Sequence, residues 1–347
     1  MKSRLAAVLL LGATLAAQSV APEKPRAAAP VRKFRFTYSF VVSDIPANSK
    51  VMRVWVPVAR TDEHQTVRLV NVKAPVQTRI ADESEYGNRI LYAEIHNPMQ
   101  PALFSLEYEV TRREYARGGF AQLETSDVKP GVVPVTMERY VSPDRLIPLT
   151  GVIAQLAAQV TTQKSGTVSK AKAAYDYLFQ TMHYDKSGTG WGRGDAVWAC
   201  DAKRGNCTDF HSVFIGMMRA DDIPARFNIG FALPEGKDSG ELPGYHCWAE
   251  FFARNIGWVP VDISEAWLNK DKADYFFGSI DVNRVQLSTG RDINLSPRQD
   301  GPALNYFVYP YVEIDGKVHE VQSKHFGFSD LVGNESADSG PAPAPAM

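Results

Sequence analysis

Cys207, His246 and Asp262 have the types and the chain order for nucleophilic acyl chemistry. A thiol attacks a carbonyl only as its thiolate, so it needs a base beside it. An imidazole can take the thiol proton and later deliver it to a departing amine, and a carboxylate can hold that imidazole in one orientation. Each residue has a blander reading when taken singly. A cysteine on the buried face of an amphipathic helix is more often core than nucleophile, a lone histidine is usually a satisfied core residue, and an aspartate is often a turn or cap. The case rests on the three together. Cysteine usage sharpens it, because the chain has only three: Cys200, Cys207 and Cys247.

The elements that would position these side chains can be read from spacing. After Cys207, the apolar residues Phe210, Val213, Phe214, Met217 and Met218 recur at helical intervals. Gly205 and Asn206 suit the turn entering that helix. Its end is expected near Arg219-Ala220, since the residue before Pro224 is pushed out of helical geometry. Cys207 then lies in the first turn, where unpaired N–H groups and the positive end of the dipole favour an anion. The same N–H groups suit the oxyanion of an acyl transition state.

In GYHCWAEFF, alternation puts His246, Trp248 and Glu250 on one strand face and Cys247, Ala249 and Phe251 on the other. GWVPVDI places Asp262 on the face of Trp258 and Pro260. The intervening ARNIG reads as a hairpin connection, which makes His246 and Asp262 neighbours across the ladder.

Taken in order, GNCTDFHSVFIGMMRADDIPARFNIGF, GYHCWAEFF and GWVPVDISEA resemble the bacterial transglutaminase-like family over about residues 140–310. The resemblance implies that Cys207 is the nucleophile, His246 the base and Asp262 the orienting acid. It implies a papain-like α+β fold, with the cysteine-bearing helix packed on an antiparallel sheet. Family members transfer acyl groups from amides: some cross-link glutamine to amines, some hydrolyse peptides or amides, and some are inactive. The implied partner is a protein or peptide substrate, with no cofactor and no metal.

Other features weigh less. Trp191 and Trp198 are candidates to line the acyl site or assist the oxyanion, against the alternative of packed aromatics. Cys200 and Cys247 pair in one reading, while in another Cys247 is a free buried thiol. His211 with His246 and Cys247 invites a zinc reading but lacks the tight ligand spacing of zinc sites. GTGWGRG has no Lys-Ser/Thr and is not a phosphate loop, and the calcium-loop-like run from Asp185 ends on Ala196 where a glutamate is needed.

Around this core the chain divides by composition. An export signal is expected over 1–21: Lys2 and Arg4, then an apolar run, then small residues. A Pro/Ala linker covers 22–31. Alternating segments over 32–113, such as KFRFTYSFVV and LFSLEYEV, predict an all-β sandwich. A Gly/Pro-rich connector spans 114–139, the catalytic domain 140–328, and a low-complexity tail 329–347. With 44% hydrophobic and 22% charged residues in 347, two domains with real cores are expected. The net charge of −1 and the lack of a basic stripe exclude nucleic acid as a natural partner. Removing the signal leaves no membrane-spanning segment and a periplasmic or extracellular protein, where abundant water favours hydrolysis.

Overall fold

The computed structural model describes residues 29–331 except 100, 119 and 121–134. The expected export signal, most of the linker, part of the connector and most of the tail lie outside the described residues.

The strand-rich half is built from β1 (Val31–Val42), β2 (Val51–Val58), β3 (Gln65–Lys73), β4 (Arg79–Asp82), β5 (Arg89–His96) and β6 (Ala102–Arg113). The period-two pattern decides which face is buried: Phe34, Phe36, Tyr38 and Phe40 of β1 are wholly buried beside Phe104, Leu106 and Tyr108 of β6. Only β4, four residues long, has no counterpart in the alternation read from sequence.

Later strands are β7 (Ala225–Ala232), β8 (Ser239–Glu241), β9 (His246–Ala253), β10 (Gly257–Val261), β11 (Arg284–Thr289), β12 (Tyr311–Ile314), β13 (Lys317–His319) and β14 (Ser323–Asp330). They assemble with the first six into two five-stranded sheets, β8-β14-β1-β6-β3 and β13-β12-β2-β5-β4, and a four-stranded sheet β10-β9-β7-β11. The sheets therefore divide differently from the expected linear domains. Strands β12, β13 and β14 fall in the stretch assigned to 140–328 yet complete the sandwich. The physical reason is that β1 is central and needs partners on both sides. The β14 strand pairs it in antiparallel register, and Phe326 faces Tyr38 across that pair.

Helices α1 (Val152–Thr161), α2 (Thr167–Thr181), α3 (Ala196–Ala202), α4 (Cys207–Ala220) and α5 (Ile263–Leu268) belong to the α+β half. The α4 helix packs on β9, with Phe214 against Phe251 at 6.3 Å. The four-stranded sheet joins the sandwich through Phe231, 5.5 Å from Phe36 and 4.4 Å from Phe326. Strand β11 is an edge strand, and two carboxamides from the sandwich satisfy its backbone. Gln65 bonds the N–H and C=O of Gln286 at 3.0 Å each, and Asn88 bonds those of Thr289 at 2.8 Å each. No helix among the described residues is long and apolar enough to cross a membrane.

Candidate active site

The α4 helix begins at Cys207, as its spacing predicts, and ends at Ala220. A capping box fixes its start. The Asn206 side chain accepts from Thr208 N at 3.0 Å, and the Asp209 carboxylate accepts from Asn206 N at 2.9 Å. Asp209 also accepts from Gly192 N (2.7 Å) and Gly194 N (3.0 Å), tying the glycine-rich loop before α3 to the cysteine turn. Gly205 has φ 153°, and a Cβ there would lie 2.3 Å from Asp209 Oδ2, so no larger residue fits against the cap.

Every residue of α4 from Cys207 to Arg219 is buried. The helix is thus not amphipathic against solvent, and its polar side chains need internal partners. Ser212 Oγ accepts from Arg291 at 2.8 Å, and Arg219 meets Asp144 at 2.7 Å. His211 Nε2 accepts the Ile263 N–H at 3.1 Å, while its Nδ1 lies 3.7 Å from Cys247 Sγ. Burial lowers the His211 pKa to about 4, so it is a neutral scaffold residue whose Nε2 lone pair is already used. That use counts against the zinc grouping with His246 and Cys247.

Strand register brings the second and third residues together. Val261 pairs with Ala249, so Asp262 comes level with Trp248 and diagonal to His246. His246 Nε2 lies 2.6 Å from Asp262 Oδ2. The other ring nitrogen, Nδ1, is not used by Asp262, and Cys207 is near enough for the two side chains to shift each other's titration. Both sit just below the surface, Cys207 at 2% exposure and His246 at 8%.

Asp262 is the most heavily bonded group in the site. Besides His246 it accepts from Arg284 Nη1 at 2.6 Å, Ser264 Oγ at 3.0 Å and Glu265 N at 2.9 Å, the last as N-cap of α5. Burial alone would raise its pKa, but His246 and Arg284 reverse this and hold the carboxyl well below the usual range. His246 shows the converse balance: burial disfavours its imidazolium, yet Asp262 outweighs that and raises it to about 10. For Cys207, burial pushes the thiol up, but hydrogen bonds from Cys247 and His246 and the charge of His246 carry it well below its ordinary value. Cys247 is pushed the other way, by burial and by its hydrogen bond to Cys207, and stays a neutral thiol. All three cysteines are free, so Cys200 and Cys247 are not paired.

Trp191 and Trp198 are placed differently from the three. The Trp191 indole N–H donates to Gly188 O at 3.1 Å, inside its own loop, and Trp198 packs so closely on Gly190 that a Cβ there would be 2.6 Å from the ring. Both build the glycine-rich loop, and the suggested oxyanion role has no hydrogen bond to rest on among the described residues. Arg284, Asn206, Asp209 and Cys247 were missed as site residues. Only the Asn-x-x-Asp spacing of the cap was a readable signal.

The β-hairpin and buried helix form the architecture of a transglutaminase-like domain. Residues 154–263, which include Cys207, His246 and Asp262, match the sequence model of the transglutaminase-like superfamily. Along most of its length the chain is similar to an uncharacterised protein of Haemophilus influenzae, 26% identical over 319 residues covering 82% of this chain and 86% of that one. It is also similar to YebA of Bacillus subtilis, 25% identical over 150 residues, which are 38% of this chain and 20% of that protein. Among solved structures, a candidate cysteine protease from Cytophaga hutchinsonii shares the fold, with a TM-score of 0.61 at 18% identity over 89% of this chain and 93% of that one.

Proposed function

We propose that the chain is an exported cysteine-dependent acyl-transfer enzyme that hydrolyses protein or peptide amides through Cys207, His246 and Asp262. The observation that supports this reading best is one buried imidazole, bonded to Asp262 through Nε2 at 2.6 Å, whose charge lowers the Cys207 thiol beside it. The Cys207 thiolate attacks the amide carbonyl, and the C–N bond breaks as His246 gives its proton to the departing amine. A thioester remains. His246 then takes a proton from water, the hydroxide attacks the thioester, and the acid leaves as Cys207 returns to thiolate.

The tetrahedral oxyanion needs a donor. The capping box uses the amides of Asn206 and Thr208, and those of Asp209 and Phe210 bond Asn206 O. In this reading the Cys207 N–H at the helix start supplies that donor. Export is supported by the composition of the first 21 residues alone.

An amine can replace water at the thioester, which would make the enzyme a cross-linking transferase with the same three residues. Casein incubated with the protein and a fluorescent amine separates the two. New peptide ends without incorporated label are expected, and both ends and label should vanish in Cys207→Ala. Label without new ends assigns transfer; neither product from a folded wild-type protein across a peptide panel sinks the enzyme reading.

A further inference from the structure

We infer that a cavity between the sandwich and the catalytic sheet is a binding site for a small ligand carrying a carboxylate or phosphate group, anchored on Arg112. The cavity has a volume of 530 Å³ and is reached by Arg112, Glu250, Arg226, Trp258, Gln286 and Tyr115. That volume suits a small molecule. It is separate from the thiol site. Glu250 lies four residues along β9 from His246, roughly 13 Å at strand rise, and α4 packs on the opposite face, against Phe251.

The argument is one of a buried guanidinium with no direct partner. Arg226 is matched by Glu250 at 2.5 Å and stacked on Trp258 at 4.1 Å. Arg117 meets Glu63 at 3.4 Å, and Arg60 lies 3.8 Å from Asp82. Asp62 spends one carboxylate oxygen on the amides of His64 (2.7 Å) and Gln65 (2.8 Å). His64 is stacked on Tyr115, and burial, reinforced by the surrounding arginines, keeps it neutral at physiological pH.

Arg112 has no direct partner. It is 1% exposed, its Nε has no hydrogen-bond partner, and Asp62 and Glu250 act on it only from beyond ion-pair distance. Burying a guanidinium without a direct hydrogen-bonded partner is costly, and an anion entering the cavity would supply one. Its fork matches a carboxylate or a phosphate through two parallel N–H···O bonds. The carboxamides of Gln65 and Asn88, already fixed by their bonds to β11, make the polar wall rigid before any ligand enters.

Calorimetric titration of the full chain with inorganic phosphate and, separately, with acetate at constant ionic strength tests this. Saturable binding of at least one is expected, and the stronger of the two tells which group the natural ligand carries. Arg112→Met should weaken that binding at least tenfold in the folded protein. If Arg112→Met does not fold, Arg112→Lys serves: it keeps the charge but loses the fork, and affinity should fall about threefold or more. Absence of saturable binding by either anion, or unchanged affinity in the folded variant, overturns the proposal.

Discussion

Iodoacetamide in limiting amount at about pH 6.5 is expected to alkylate Cys207 and leave Cys200 and Cys247 unmodified. An ordinary thiol is about 1% ionised at that pH, whereas Cys207 is held ionised by Cys247 and His246. Burial instead raises both other thiols. A lowered pKa also lowers intrinsic nucleophilicity, so the gain in rate is smaller than the gain in thiolate. His246→Ala should remove most of that advantage, because it deletes both a hydrogen bond and the imidazolium charge. The pH profile carries a second signature. With His246 titrating at about 10, peptide hydrolysis should fall as pH rises through that value, because the proton for the leaving amine is lost. Alkylation needs only the thiolate and should persist there. A Cys207 that reacts no faster than a small-molecule thiol ends its assignment as nucleophile.

The sequence was most legible where period and burial coincide. Phe34 to Phe40 on β1 and the Cys207-to-Met218 spacing on α4 each announce one element, and both formed there, although α4 is buried all round rather than on one face. His246 and Asp262 could be placed together because a hairpin leaves few registers for them. Sandwich membership of β12 to β14 was not legible, since a strand at 323–330 shows its alternation but not that its partner lies near residue 36. Arg284 was invisible for a related reason: nothing local marks an arginine whose partner is a carboxylate 22 residues away. Cys247 was read from strand alternation as lying on the face away from His246. Yet it meets Thr208 and His211 of the cysteine-bearing helix, and its thiol and that of Cys207 shift each other's titration. The cavity at Arg112 depends on two sheets meeting and has no signature along the chain.

Asp262→Ala is expected to separate what the carboxylate does for the fold from what it does for the imidazole. The substitution leaves Arg284 buried without its 2.6 Å partner, uncaps α5 and frees His246. Breaking a buried pair by removing one member costs about 3–5 kcal/mol, readable by urea unfolding at neutral pH. Activity should fall about 10³- to 10⁴-fold, as when a catalytic imidazole loses the acid that orients it. Asp262→Leu combined with Arg284→Met removes both charges and should recover much of the stability without recovering activity. The pH dependence follows from the two shifts. Asp262 is depressed, so its contribution is present above the unfolded carboxyl pKa of about 4 and is lost as pH falls below it. His246 is raised, so its contribution is complete below the unfolded imidazole pKa of about 6.5 and is lost as pH rises through about 10. Wild-type stability from this pair should therefore be greatest between those unfolded values, and the decline on the alkaline side should be absent in Asp262→Ala. Equal stability of the single and double variants, or an unaltered alkaline decline in the single one, would show that the Asp262 network is not what holds His246 charged.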